Sequence, residues 1–148
     1  MPYIDFRQIP PTGLDFMNED HRDGVEQLNN LEEPLARAAT GDAAAVAEVD
    51  RLLDELLEHT REHFGREQAE MERCGFPAYP IHRGEHERVL AEMESVIAQW
   101  KEGRDADALE RYLRDTYPAW FVQHVSTMDA ATAHFVRLHG VRSEETEL

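Results

Sequence analysis

The apolar residues of this chain recur at steps of three and four, the period of helices with one face turned inward. The first stripe carries His21, Val25, Leu28 and Leu31. It predicts a helix that starts near Asn18, whose side chain can cap the first turn, and that stops near Pro34 or a little beyond. Gly41-Asp42 reads as a break with Asp42 as the next cap. A long second helix follows from about Ala43 to Arg73, with Val46, Val49, Leu52, Leu53, Leu56, Phe64 and Met71 along its stripe. Pro77 and Pro80 mark the segment from Cys74 to Pro80 as a turn. A third helix is expected from His82 to Lys101, carrying His86, Val89, Leu90, Met93, Val96 and Ile97. The last helical stretch, Ala106 to Leu138, contains Pro118. An internal proline costs about 3 kcal/mol, so a kink is expected there, or a short helix and a new one starting near Pro118.

No segment alternates with the period of two that strands require. The fold class is therefore all-α: an up-down-up-down four-helix bundle over residues 17–140. An irregular arm, residues 1–16, precedes it, and an acidic tail, residues 141–148, is expected to fray. At 148 residues the chain is long enough to bury one core in one piece.

Composition changes this picture mainly by exclusion. A net charge of −16 argues against nucleic acid, whose phosphates call for clustered Lys and Arg, and against an anionic membrane surface. No apolar run nears the ~20 residues that would insert in a membrane. The N-terminus has neither a basic segment nor a continuous apolar one, so a cytoplasmic location is expected. Cys74, the one cysteine, can form neither an internal disulfide nor a thiolate metal site, and is expected simply to pack.

The histidines carry the chemistry. His63 and Glu67 stand four apart on the second helix, so both side chains share a face. His82 and His86 repeat that spacing on the third. His124 and Asp129 stand five apart on the last, and His21 is alone on the first. Every predicted helix thus contributes to one candidate cluster of five imidazoles and two carboxylates. Imidazole and carboxylate suit a metal such as iron, and the set is too large for one four-coordinate zinc, so two metals are expected. A lone His pair on a helix is more often a surface or capping feature. The position of each beside an apolar stripe is what favours ligation, because unpartnered buried imidazoles are costly.

These residues resemble the hemerythrins, in particular the bacterial single-domain ones. The matching segments are His21 in Asn18-Glu-Asp-His21, His63-Phe64-x-x-Glu67, His82-x3-His86 after Phe76-Pro77-Ala-Tyr79-Pro80, and Trp120-x3-His124-x4-Asp129. They extend over roughly residues 14 to 138. The resemblance implies two iron ions, oxo- or hydroxo-bridged, with Glu67 and Asp129 bridging. It assigns His82, His86 and His124 to one iron, and His21 and His63 to the other, which keeps one position open for O2. Reversible O2 carriage, storage or delivery is the implied function. The alternatives are a di-iron redox enzyme acting on peroxide, nitric oxide or an oxidisable substrate, and a sensing module for O2 or iron. Phe64 and Trp120 are candidate walls of the O2 pocket, or plain core aromatics. His59, one turn before His63, departs from the resemblance; it reads as a surface-edge residue, a pocket-lining donor or a ligand. His134 and His139 read as surface residues near a helix C-terminus.

Overall fold

The computed structural model describes residues 2–147, with side chains described through residue 139. Among the described residues there is no strand, and seven α-helices build the four limbs of a bundle. The first limb is α1 (Asp15–Asn29) followed by α2 (Glu32–Ala39), the second α3 (Ala43–Cys74), and the third α4 (Tyr79–Gly103). The fourth limb is a continuous run: α5 (Ala106–Arg111), a π-turn (Tyr112–Thr116), α6 (Tyr117–His124), a second π-turn (Val125–Asp129) and α7 (Ala130–Glu147). No described helix is long and apolar enough to cross a membrane.

Local chemistry sets the ends. Asp42 caps α3 by accepting from the N–H groups of Ala44 and Ala45, as expected. Gly75 ends it in the left-handed region at φ 69°, where the N–H of Phe76 turns back to the carbonyl of Met71. Asp105 caps α5 through the N–H of Ala108. The expectation for the first helix is corrected. α1 starts at Asp15, after Leu14, which offers no side-chain cap. Asn18 instead ties down the arm: its Oδ1 accepts from Thr12 N at 2.7 Å and its Nδ2 donates to Thr12 O at 3.0 Å. Pro34 does not end that limb but sits in the first turn of α2, where its missing N–H costs nothing.

The segment before α1 is irregular apart from a short 3₁₀ turn, Phe6–Gln8, yet it is docked. Tyr3, Ile4 and Ile9 are buried, Tyr3 Oη donates to Glu110 at 2.6 Å, and Ile4 exchanges two hydrogen bonds with the Asn29 amide. The core draws Leu28 and Leu35 from the first limb, Leu53 from the second, Met93 and Ile97 from the third and Leu113 from the fourth. Each contributes about 2 kcal/mol by leaving water.

Pro118 does not break the last limb: the short α5 gives way to a π-turn, and α6 begins at Tyr117 with the proline in its first turn, near where a new helix was expected. The N–H of Tyr117 reaches back five residues to Tyr112 O, closing a π-turn just ahead of the proline. That wider turn accommodates a ring with no N–H to offer. The limb also continues beyond Leu138 as helix to Glu147. The acidic tail expected at 141–148 falls on side chains outside the described residues.

Candidate metal centre

All four limbs turn donor groups toward one point in the core. α1 brings His21, α3 brings His63 and Glu67, α4 brings His82 and His86, and the fourth limb brings His124 and Asp129. None of the seven is more than 4% exposed. Their donor atoms form two groups, each with all atoms within 4.8 Å of one another. One group is Glu67, His82, His86, His124 and Asp129; the other is His21, His63, Glu67 and Asp129. The two carboxylates belong to both, so the site has a five-donor side and a four-donor side.

The distances within it are those of groups facing a shared centre. His63 Nε2 lies 2.6 Å from Glu67 Oε2, and His21 Nε2 lies 2.9 Å from Asp129 Oδ2. His82 and His124 each bring Nε2 within 3.1 Å of Asp129 Oδ1, and His86 Nε2 is 3.3 Å from Glu67 Oε1. Yet Glu67 Oε1, Asp129 Oδ1, His86 Nε2 and His21 Nδ1 are buried without a hydrogen-bond partner. Buried polar atoms are nearly always satisfied, so the inward-facing orphans Glu67 Oε1, Asp129 Oδ1 and His86 Nε2 fit a cation between them. The donor set of imidazole nitrogen and carboxylate oxygen fits iron.

Charge in the metal-free cluster is divided unevenly. Burial alone would depress the His21 imidazole, but hydrogen bonds to Asp129 and Glu67 outweigh it and push it up to about 9. His86 goes the other way: burial lowers it to about 4. Burial opposes ionisation of Glu67 as well, but the neighbouring His63 ring and hydrogen bonds from His21 and His63 hold its carboxyl below the usual range. Asp129 is likewise held low against burial, by His124, His21 and His82.

The spacing of His124 and Asp129 now has a physical reason. On a regular α-helix, residues five apart point about 140° away from each other. The π-turn Val125–Asp129 adds the extra residue to the turn and returns both side chains to one face.

Residues 12–133 match the family model described as the hemerythrin HHE cation binding domain. The chain belongs to the hemerythrin family. The bacteriohemerythrin of Aquifex aeolicus (strain VF5) is 29% identical over 126 residues, covering 85% of this chain and 92% of the relative. That of Ralstonia nicotianae is 37% identical over 103 residues, covering 69% of this chain and 73% of the relative. A crystal structure of a hemerythrin leucine-to-alanine mutant superposes with TM-score 0.73 at 23% identity, over 92% of this chain and 98% of its own, a likeness of fold.

Around the cluster, this hemerythrin-family chain uses residues that the sequence pattern did not single out. His82 Nδ1 donates to Thr132 Oγ1 at 2.7 Å, and His86 Nδ1 donates to Gln68 Oε1 at 3.0 Å. Each bond fixes a ring so that its Nε2 faces inward. Phe64 stacks on His86 at 3.8 Å between centroids, and Trp120 stacks on His124 at 4.5 Å. Both rings therefore brace the five-donor side. At the four-donor side Phe121 is set edge-on to His21 at 5.6 Å, and Phe64 reaches across to His63 at 5.4 Å.

His59 is outside both donor groups. Its Nε2 donates to the carbonyl of Asp20 at 3.2 Å, in a gap left by Gly24, where an added Cβ would stand 3.6 Å from that nitrogen. The Asp20 carboxylate takes a two-pronged bond from Arg66 at 2.6 and 2.9 Å, clamping α1 to α3 beside His21 and Glu67. His134 is exposed, whereas His139 is partly buried and stacks on Phe135 at 3.9 Å within a helix that continues past it. Cys74 is partly buried at the last position of α3.

Proposed function

We propose that the chain holds two non-haem iron ions in this cluster and binds O2 reversibly, as a carrier or store in the cytoplasm. The observation that carries the reading is the asymmetry of the donors: five groups converge on one side and four on the other, with two carboxylates common to both. Glu67 and Asp129 would bridge the pair, His82, His86 and His124 would complete one ion, and His21 and His63 the other. The side with fewer donors keeps a position for a small ligand. Two ferrous ions there would supply the electrons that bind O2 and recover them on its release.

The chain's own residues do the rest. The two carboxylates offset cationic charge that would be very costly to bury unpaired. Thr132 and Gln68 hold two imidazoles in the ligating tautomer. The edge of Phe121 beside His21 limits water and protons at the four-donor side, which favours release of O2 over its further reduction. A polar group beside the O2 position would favour a redox enzyme, and the ring nitrogen of His59, the residue one turn from His63, is engaged with the Asp20 carbonyl instead. It gives that alternative no support.

The test is iron content together with the optical spectrum of the reduced protein, recorded under argon, in air, and after oxygen is removed. About two irons per chain and a visible band that comes and goes with O2 would support the carrier. Two irons with direct conversion to the oxidised form would move the function to redox catalysis. Protein never exposed to chelators that holds little metal would overturn both.

A further inference from the structure

The cluster approaches the surface in two places, and their chemistry differs. At the four-donor side, His21 borders a cavity of about 300 Å³ walled by Phe6, Ile9, Pro10 and Pro11, with Arg7 and Arg22 also in its lining. At the five-donor side, His124 and Trp120 border a cavity of about 250 Å³ that also touches Glu85, Gln123 and Thr127. The first is largely apolar and suits a neutral gas. The second has the larger polar share, from Glu85, Gln123 and Thr127, and adjoins the side with more donors, so a ligand there gains no coordination position.

We propose that this second opening is where electrons arrive, and that Trp120 relays them from an external one-electron donor to the iron pair. The inference rests on the iron-binding reading above. A protein that binds O2 on ferrous ions fails whenever those ions are left ferric, and it then needs two electrons back. The step balances simply: two ferric ions become ferrous, two donor molecules each lose one electron, and no covalent bond of the chain forms or breaks.

The geometry selects Trp120 from the aromatics near the site. Its indole lies nearly parallel to the His124 ring, at 20° and 4.5 Å, so the π systems of a surface residue and an iron-facing residue touch. Phe64 stacks even closer on His86 but is 2% exposed, and Phe121 meets His21 only edge-on. Trp120 is partly exposed, and its Nε1 donates to Glu85 Oε1 at 2.8 Å, which holds the indole in its stacked orientation. Glu85 in turn is paired with Arg88 at 2.6 Å, on the rim where a donor would arrive. Reduction on this side leaves the O2 side undisturbed.

The experiment uses iron-loaded, air-oxidised protein and stopped-flow reduction by dithionite, an anionic donor, and by reduced methyl viologen, a cationic one. Iron content and reduction potential are measured on every variant. Trp120→Leu is expected to slow reduction several-fold at unchanged iron content and potential, and Trp120→Phe, which keeps a stacked ring, to restore most of the rate. Glu85→Gln is expected to speed reduction by dithionite and slow it by viologen. Glu102→Gln, at the far end of α4, should do neither, since charges act over only ~10 Å at 0.1 M salt. A separate readout needs no turnover. In a Trp100→Phe background, ferrous iron added to metal-free protein should quench Trp120 emission to a stoichiometric end point. Trp100 alone should respond weakly, because it lies 14 positions along α4 from His86, roughly 21 Å. Trp120→Leu protein with full iron and the wild-type reduction rate would overturn the proposal. So would identical rates for Glu85→Gln with both donors, a result that stands even if Trp120→Leu cannot hold iron. Wild-type protein that binds no iron would instead strike the underlying reading.

Discussion

Stripped of metal, the protein should be most stable near pH 6.5 and lose stability on both sides, because two buried histidines are perturbed in opposite directions. His21 is raised from 6.5 to about 9. A raised group contributes its stability in full below its unfolded value, and that contribution is lost as pH climbs from 6.5 through about 9. The interval corresponds to about 3 kcal/mol, or roughly 6–12 °C in Tm for a chain of this size. His86 is lowered from 6.5 to about 4 by burial. Its unfolded form takes up a proton that the folded form refuses, so stability also falls as pH drops from 6.5 toward 4, by a similar amount. The depressed carboxyls of Glu67 and Asp129 add to the loss at the acid end. Urea denaturation of chelator-treated protein at a series of pH values measures the profile. His21→Gln should flatten the alkaline limb and shrink the carboxylate part of the acid limb, since His21 helps hold Glu67 and Asp129 low. His86→Gln should flatten the acid limb and leave the alkaline one. Metal should flatten both, since the rings then donate to a cation instead of a proton. Metal-free stability that holds level or rises between pH 6.5 and about 9 would refute the account of His21.

Three other perturbations follow from single contacts. Thr132→Val removes the acceptor that orients His82 and should weaken metal affinity by about 10–100-fold while leaving the far-ultraviolet circular dichroism intact, as a competition titration against a chelator would show. Phe64→Ala should cost about 3–5 kcal/mol in chemical denaturation, because a ring that is 2% exposed leaves a void against His86. Gly75→Ala places a Cβ at φ 69° and should cost about 1 kcal/mol, with the loss read in urea and no change in metal stoichiometry.

Much of the bundle was legible because its signals are local. The stripe from Val49 to Met71 and the Asp42 cap mark α3 within a residue of where it runs, and Gly75 closes it as such a glycine should. The His63/Glu67 and His82/His86 pairs were legible for the same reason, since four residues is one helical turn. What escaped depends on partners distant in sequence. Asn18 has the chemistry of a cap, but Thr12 claims its side chain, and nothing in a helical period reports that competition. Thr132 and Gln68 matter through rings 50 and 18 residues away. The same holds for the aromatics: Phe64 and Trp120 share the interior with the cluster, but which half each one braces depends on how the limbs are rotated about their axes.

The His124-x4-Asp129 spacing is the instructive case, because the signal was present and has a geometric meaning. Five residues do not bring two side chains to one face of an α-helix, so either one of them was not in the cluster or the helix was not regular there. The π-turn resolves the choice in favour of both residues. The same limb has its other π-turn, Tyr112–Thr116, ahead of Pro118 and immediately before the helix that carries His124. Each such turn inserts one residue and rotates everything beyond it by about 100°. The orientation of His124 therefore depends on the first irregularity, and that of Asp129 and Thr132 on both. Seen this way, the proline that looked like a break and the spacing that looked out of register are parts of one device: two local departures from the α-helix that set the fourth limb's donors against three limbs of regular helix.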